Sequence, residues 1–334
     1  MKKNESAIKK DVPLSSADIV GLISKWTPPV IEDTNTIPKG DMPGDIIKIN
    51  DVHISKAQII FPKLLEQLEI VLGQQSQQKV VISIHGGSGV GKSEIGSLLA
   101  YYLNKVNIGS YIMSGDNYPH RIPKWNDFER LRIYRESGIK GLVSLGEYTE
   151  KRGEIIKDLI KLNKDADPVY EEELSWITTY HQSGRQGLQH YLGTKNETDF
   201  DEVNRIIDRF KTGDSTIMLK RMGREDNDVV YESVDFSQIR VLVIEWTHGN
   251  NKNLHGVDIP ILLNSTPSET LAHRKSRNRD GALDSPFTTM VLQIEQQLLA
   301  SQAPSAKIIV SKSGEILSFE EYASLMEQES GGKL

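Results

Sequence analysis

The chain has 334 residues, of which 37% are hydrophobic and 26% are charged, a balance typical of a globular protein with a sizeable core. Its formal net charge of -6 excludes the broad basic surface that attracts nucleic acid or anionic membranes. It contains no cysteine, which excludes disulfides, thiolate metal sites and cysteine nucleophiles.

Residues 1–78 are expected to form an N-terminal arm and a small accessory element. Five prolines between positions 13 and 43 interrupt every helical pattern except that of Ser16–Trp26. Gly44–Leu72 then has the pattern of a short strand followed by an amphipathic helix. The first residues contain lysines but no apolar signal segment, and no apolar run approaches the length that spans a bilayer. We therefore expect a cytoplasmic protein without a membrane anchor.

Residues 79–317 have the alternating pattern of an α/β core. Short apolar runs, typical of strands buried on both faces, are separated by helical patterns. The runs are Lys79–Ile84, Gly109–Met113, Arg240–Glu245, Ile259–Leu263 and Lys307–Val310. This order predicts an α/β fold with a parallel sheet of about five strands and helices on both faces. A polar helical insertion is expected at about 125–235, and a C-terminal helix and tail at 318–334.

A glycine-rich segment lies between the first strand of this core and the helix that follows it. It satisfies the pattern G-x-x-x-x-G-K-[ST] in full, with the residues Gly86, Gly87, Ser88, Gly89, Val90, Gly91, Lys92 and Ser93. Glycines let successive backbone amides point at phosphate oxygens, and the helix N-terminus adds its dipole. Lys92 is expected to bridge the β- and γ-phosphates of ATP, and the Ser93 hydroxyl to bind Mg2+. His85, just before the loop, has no visible charge partner and is expected to be structural.

Two acidic residues end core strands at the edge where ligands bind in such sheets. Asp116 follows the second strand in the sequence Ser-Gly-Asp-Asn-Tyr, and Glu245 ends the run Val-Leu-Val-Ile-Glu. A kinase needs a carboxylate that orients or deprotonates the acceptor hydroxyl, and this role suits Asp116. Either acid is also expected to help hold Mg2+, because a buried Glu245 needs a cation or strong hydrogen bonds.

The remaining predicted site residues belong to a lid and to the acceptor pocket. Ser268–Asp280 has a helical pattern ending in four cations, and Arg277 or Arg279 is expected to neutralise charge on the transferring phosphoryl group. The acceptor is expected to bind beside Asp116 among Tyr118, His120, Arg121, Arg185 and His248. His248 and His255 have no third ligand beside them, so they do not predict a zinc site.

The order of these segments resembles the superfamily of uridine kinase, phosphoribulokinase and pantothenate kinase over about residues 79–317. Besides the intact Walker A loop, Asp116-Asn117-Tyr118 is similar to their D-x-[FY] element, and Leu271–Asp280 is similar to their basic lid helix. Val243-Ile244-Glu245-Trp246 stands where these kinases have an apolar strand ending in Glu-Gly, so Trp246 departs from their pattern. The resemblance implies phosphoryl transfer to a hydroxyl of a small molecule, with ATP and Mg2+ as cofactors.

The sequence does not identify the phosphoryl acceptor, which could be a sugar, a polyol, a sugar phosphate or a nucleoside. Tyr180–Tyr191 does not follow the nucleoside-binding pattern of a uridine kinase, and Gly115-Asp116-Asn117 is also similar to an element of adenylylsulfate kinases. The alternative function is an ATP-binding regulatory or switch protein, because a fold does not fix a function. The acidic charge argues against a nucleic-acid partner. No membrane partner is expected, and a homodimer stays open.

Overall fold

The computed structural model describes residues 16–74, 79–225, 228–265, 269–270 and 285–329 of the chain. In chain order, the strands in these ranges are β1 (Val80–Gly86), β2 (Ser110–Ser114), β3 (Thr216–Met222), β4 (Val229–Asp235), β5 (Val241–Glu245), β6 (Ile259–Leu263), β7 (Ile308–Val310) and β8 (Ile316–Leu317). A six-stranded sheet has the order β2-β5-β1-β6-β7-β8, and β3 pairs with β4 in a separate hairpin.

The strands of the main sheet are parallel from β2 at one edge to β7. Val80 of β1 pairs with Val241 of β5, and Ile82 of β1 pairs with Ile259 of β6 on the other side. β8 adds an antiparallel edge strand, which the sequence pattern does not predict because it is only two residues long. The predicted parallel sheet is confirmed, since its parallel strands coincide with the predicted apolar runs.

The described ranges also contain helices on both sides of the sheet. They are α1 (Ser16–Lys25), α2 (Asp51–Gln74), α3 (Lys92–Lys105), α4 (Pro123–Ser144), α5 (Glu150–Lys161), α6 (Tyr170–Glu173), α7 (Ile177–Gln189), α8 (Phe200–Thr212), α9 (Pro286–Gln302) and α10 (Phe319–Glu329). Within these ranges, no helix combines the length and apolar character needed to cross a membrane.

Side chains alternate along the strands and divide the core between the two faces of the sheet. Val80, Ile82 and Ile84 of β1 belong to a buried cluster with α1, α2 and α3. Val81 of β1 and Leu242 of β5 belong to a second cluster with α8 and the β3–β4 hairpin. Because both faces are covered, the strands consist of nearly continuous apolar residues.

The segment before α2 differs from the prediction. A strand is expected at the start of Gly44–Leu72, but residues 44–50 form no strand and α2 begins at Asp51. The alternation of isoleucine with polar residues here buries Ile47 without pairing to a sheet edge. α1 and α2 bury their apolar residues in the same cluster as the sheet. The proposed domain division at residue 78 stays a prediction.

Two helices of the insertion, α4 and α7, pack closely because glycines on each helix face larger side chains of the other. A Cβ atom on Gly138 would lie 2.5 Å from Tyr180, and one on Gly184 would lie 2.6 Å from Tyr134. The rings of Tyr134 and Tyr180 are buried and meet edge to face, with centroids 5.6 Å apart. Together with α5 and α9, this pair builds a separate helical cluster.

Candidate active site

The glycine-rich loop connects β1 to α3. Gly89 and Gly91 have φ angles of 77° and 95°, in the region that residues with a Cβ atom rarely adopt. Gly91 is the N-cap of α3 and makes no side-chain cap, which keeps side chains away from the first backbone amides of the helix. Lys92 reaches back across the loop, and its Nζ donates to the carbonyl oxygen of Gly87 at 2.9 Å. Such a loop at a helix N-terminus can bind the phosphates of a nucleotide.

Glu245 ends β5 next to this loop and is buried. Its Oε2 accepts a hydrogen bond from the Ser93 hydroxyl at 3.0 Å, and its Oε1 accepts one from the Ser114 hydroxyl at the end of β2. Burial raises the pKa of Glu245 to about 8, and the negative charge of Asp116 acts in the same direction. A cation between these two carboxylates would therefore stabilise the ionised form of Glu245.

The oxygen atoms of Ser93, Asp116 and Glu245 fit Mg2+, which prefers oxygen ligands and keeps several waters. Within the described ranges, no group of three or more His, Asp and Glu side chains is arranged to hold a metal ion. This finding is compatible with Mg2+, because in nucleotide sites the ion takes one or two protein carboxylates and completes its shell with phosphate oxygens.

Asp116 lies on the short 3-10 turn Gly115–Asn117, directly after β2. Its side chain is exposed and lines a cavity of about 670 Å³. The same cavity reaches Ser88 of the glycine-rich loop and His248 after β5, so the structure brings these three predicted residues together. Burial lowers the pKa of His248, which favours its neutral form near neutral pH.

The cavity walls carry two arginine–carboxylate pairs that the sequence patterns do not identify. Arg130 of α4 donates to Glu197 at 2.7 Å, and Arg135 of α4 donates to Asp165 at 2.8 and 2.9 Å. Burial opposes ionisation of Glu197, but the charge of Arg130 and the hydrogen bonds outweigh burial and lower the Glu197 pKa. The partners lie 67 and 30 residues apart in the chain, so no local spacing reveals them.

Tyr118 requires a correction, because the structure places it in the core rather than on the cavity wall. Its side chain is fully buried, and its hydroxyl lies 3.6 Å from the sulfur of Met113 in β2. The turn before it folds the chain inward, and sequence alone does not show to which side of such a turn a side chain points.

Three other predicted acceptor residues also lie away from the cavity lining. Each contacts a neighbouring residue instead: His120 contacts the carbonyl oxygen of Lys195, Arg121 donates to Tyr191, and Arg185 donates to Gln293. The geometry therefore does not support direct acceptor contacts for them. The predicted lid arginines, Arg277 and Arg279, lie outside the described residues, and their role stays a prediction.

The N-terminal arm supplies a buried acid to the turn that carries Asp116. Asp41 accepts hydrogen bonds from the backbone amide of Ser114 at 2.7 Å and from the Asn117 side chain at 3.0 Å. It also forms an ion pair with Arg221 of β3 at 2.8 Å, and both side chains are buried. Asn117 accepts a hydrogen bond from the last backbone amide of β3 at 2.8 Å. The arm and the hairpin together hold this turn in place.

Trp246, which departs from the Glu-Gly pattern, lies against this same turn. A Cβ atom on Gly115 would be 2.0 Å from Cγ of Trp246, so only glycine fits at position 115. The indole is buried and contacts Phe200 of α8, with ring centroids 5.2 Å apart. A glycine on the neighbouring strand end thus makes room for the larger residue at 246.

A parallel sheet whose inner strand leads into a glycine-rich phosphate-binding loop defines the class of α/β P-loop folds. In this chain Glu245 ends β5, and Asp116 follows β2. No family model matches the chain. Over 254 residues, or 76% of its length, the chain is 38% identical to the bifunctional alpha-galactosidase/sucrose kinase AgaSK of Mediterraneibacter gnavus. The chain spans 22% of that relative's length. This similarity confirms the predicted resemblance to kinases.

Two solved structures are similar to the chain at low sequence identity. One is a proposed fructose transport system kinase from Silicibacter sp. TM1040, with 14% identity, a TM-score of 0.45 and coverage of 74% of this chain and 94% of that one. The other is a possible uridine kinase from Bacillus stearothermophilus, with 14% identity, a TM-score of 0.35 and coverage of 74% and 98%.

Proposed function

We propose that the chain is a kinase that transfers the γ-phosphoryl group of ATP to a hydroxyl group of a sugar. One observation carries this proposal: the Asp116 carboxylate is exposed and lines a cavity that also reaches the phosphate-binding loop. A carboxylate in this position can orient an acceptor hydroxyl and take its proton. The sequence similarity to a protein named in part as a sucrose kinase supports a sugar as the acceptor.

In this proposal, one set of residues binds ATP and another set binds the acceptor. The amides of residues 86–93 and the ammonium group of Lys92 hold the phosphates, and Ser93 with Asp116 or Glu245 would hold Mg2+. When bound, Mg2+ would neutralise negative charge on the phosphates. The acceptor oxygen forms a bond to the γ-phosphorus, Asp116 receives its proton, and ADP leaves. His248, neutral and next to Asp116 in the cavity, is a candidate contact for the acceptor.

The test is ADP release by the purified chain with ATP and Mg2+, with and without each of a set of acceptors. The set contains sucrose, fructose, glucose, glucose 6-phosphate, sorbitol and uridine. We expect a sugar to accelerate ADP release, and the phosphorylated sugar to appear in the same amount by mass spectrometry. Lys92→Ala is the inactive control. ATP binding without acceleration by any acceptor would instead support the regulatory or switch protein.

The cytoplasm is the proposed location, because the lack of cysteine is compatible with a reducing compartment. Association into a homodimer is a further proposal, and the molar mass from light scattering tests it.

A further inference from the structure

Resting on the proposed sugar kinase activity, we propose that the acceptor is an uncharged sugar of two rings. Arg135 and Asp165 would form a subsite for the ring that does not receive the phosphoryl group. The length of the cavity, the order of its residues and its charge balance each support this subsite.

The cavity is long enough for two rings. Both Lys124 and Arg135 of α4 line it, and they are eleven residues apart along the helix. At 1.5 Å per residue, the helix contributes about 16 Å of wall. A six-membered sugar ring with its hydroxyl groups measures roughly 6–7 Å, given bond lengths near 1.5 Å. Arg130 lies between these two residues, so the part of the wall from Arg130 to Arg135 has about the length of one ring.

The order of residues along the cavity distinguishes a near end from a far end. Glu197 is close to Asp116, because its carbonyl oxygen accepts a hydrogen bond from the amide of His120, and the next residue forms a backbone bridge to Pro119. Arg130 pairs with Glu197 and therefore marks the near end. Arg135 lies five residues, or about 7.5 Å, further along α4. The Arg135–Asp165 pair is thus about one sugar ring further from the reacting hydroxyl.

The Arg135–Asp165 pair has the chemistry to bind sugar hydroxyls. Nε and Nη2 of Arg135 donate to the two carboxylate oxygens of Asp165, whereas Nη1 has no acceptor among the described residues. The Arg135 side chain is 22% exposed, so this donor can reach a hydroxyl in the cavity. Phe287 lines the same cavity and provides an aromatic face for the C–H groups of a sugar ring.

The charge balance of the walls favours an uncharged acceptor over a sugar phosphate. Arg130 is neutralised by Glu197, and Arg135 is neutralised by Asp165, with carboxylate contacts of 2.7 and 2.8 Å. Over the whole lining, the five acidic side chains outnumber the three cationic ones, Lys124 among them, so no net positive charge is left for a second phosphate group. The two carboxylates are almost fully buried, so the guanidinium groups supply the polar contacts at these walls, and donors without a net charge suit a ligand rich in hydroxyl groups.

The experiment compares acceptors of one and two rings on two subsite variants and a matched control. Arg135→Lys keeps the positive charge beside Asp165 but replaces the planar guanidinium group, and so removes the Nη1 donor. Ala166→Leu fills the far end, since Ala166 lines the cavity next to Asp165. Arg132→Lys is the control, because Arg132 lies on the same helix, is 58% exposed and, among the residues that the structure describes, pairs with Glu129 and Glu136. Thermal midpoints of all variants exclude unfolding as the cause of an effect.

We expect wild type to prefer sucrose over fructose, glucose and glucose 6-phosphate in kcat/KM. Arg135→Lys should raise the KM for sucrose about 10- to 100-fold with kcat within twofold, as expected for a lost charge-assisted hydrogen bond distant from the reacting atoms. Ala166→Leu should act in the same direction, and Arg132→Lys should match wild type. Calorimetric titration of sucrose into the protein with a non-hydrolysable ATP analogue should show the same loss of affinity.

Any of three results would overturn the subsite while the kinase assignment stands: monosaccharides used as well as sucrose, kcat falling in Arg135→Lys with an unchanged KM for sucrose, or a preference for glucose 6-phosphate. If none of these sugars accelerates ADP release, the proposed function itself fails.

Discussion

At the level of single residues, two neighbouring acids have different surroundings, and we propose different roles for them. Asp116 is exposed to the cavity, whereas Glu245 is buried and accepts hydrogen bonds from Ser93 and Ser114. A catalytic base must reach the proton of its substrate, which Asp116 can do and Glu245 cannot. Glu245 suits the task of holding the loop serine and a cation.

Replacing Asp116 tests the base directly. Asp116→Asn keeps the size of the side chain but cannot take up a proton, so we expect kcat to fall by ~100- to 10,000-fold. The affinity for an ATP analogue should change little, because the phosphate loop is intact. Acceptor-dependent ADP release gives kcat, and calorimetry gives the affinity. A loss of less than tenfold would show that Asp116 is not the base.

His85 predicts a specific dependence of stability on pH. It is buried, neither ring nitrogen has a partner among the described residues, and burial together with the charge of Lys92 lowers its pKa to about 3. Below pH 6.5 the unfolded chain binds a proton on this residue that the folded protein does not bind. The contribution of His85 to stability is therefore complete above pH 6.5 and decreases as the pH falls towards 3.

The variant His85→Leu removes this titration. Relative to wild type, its free energy of unfolding should increase by ~2 kcal/mol between pH 7.5 and pH 5.0, at about 1.4 kcal/mol per pH unit below 6.5. Urea unfolding at the two pH values measures the difference. An equal difference at both values would mean that His85 is already charged, or partnered, in the folded protein.

At the level of elements, the N-terminal arm positions the turn that carries Asp116. Asp41→Asn should cost ~1–3 kcal/mol of stability, because Arg221 loses one of its two carboxylate partners and keeps Glu232. It should also lower kcat roughly tenfold, since a displaced Asp116 carboxylate is less well oriented towards the acceptor hydroxyl. Turnover and urea unfolding are measured on the same preparations.

Asp258 offers the matched control for this arm variant. It forms a partly buried ion pair with Lys211 at 2.7 Å and accepts a hydrogen bond from the amide of Val81, at the amino end of β1. Asp258→Asn should lose comparable stability without a change in kcat at a temperature where both variants are folded. Equal effects of the two substitutions on kcat would mean that Asp41 contributes to stability but does not position Asp116.

The close packing of α4 on α7 makes the cavity wall sensitive to small additions. Gly184→Ala places a methyl group 2.6 Å from the ring of Tyr134, so we expect a loss of ~1–3 kcal/mol through overpacking. Gly21→Ala in α1 is the control, because a Cβ atom there meets no atom of the described residues within 4 Å. This control should be neutral or stabilising by up to ~1 kcal/mol. Similar urea midpoints for the two variants would contradict the close approach of these helices.

At the level of the whole molecule, binding at the loop should stabilise the entire fold. A non-hydrolysable ATP analogue with Mg2+ at 100 times its Kd should add about 2.7 kcal/mol to the free energy of unfolding. The thermal midpoint of wild type should rise accordingly, whereas Lys92→Ala at the same concentration should show a much smaller rise. Equal rises in both proteins would place the nucleotide elsewhere.

The fold and the nucleotide side of the site could be predicted from sequence because their signals are local. The apolar runs define the strands, and the spacing from Gly86 to Ser93 defines the loop. The acceptor side could not be predicted, because it is assembled from distant segments. Arg130 and Glu197 meet only through folding, and the inward position of Tyr118 depends on how one turn bends.

The contact between Gly115 and Trp246 has a consequence for how this protein can vary. Alanine at position 115 is sterically impossible while tryptophan occupies 246, and a smaller residue at 246 would open a void behind the turn. Related chains should therefore exchange the two residues together, and a single exchange should be rescued by the second. Their coupling would appear in a double-mutant cycle as a large departure from additivity.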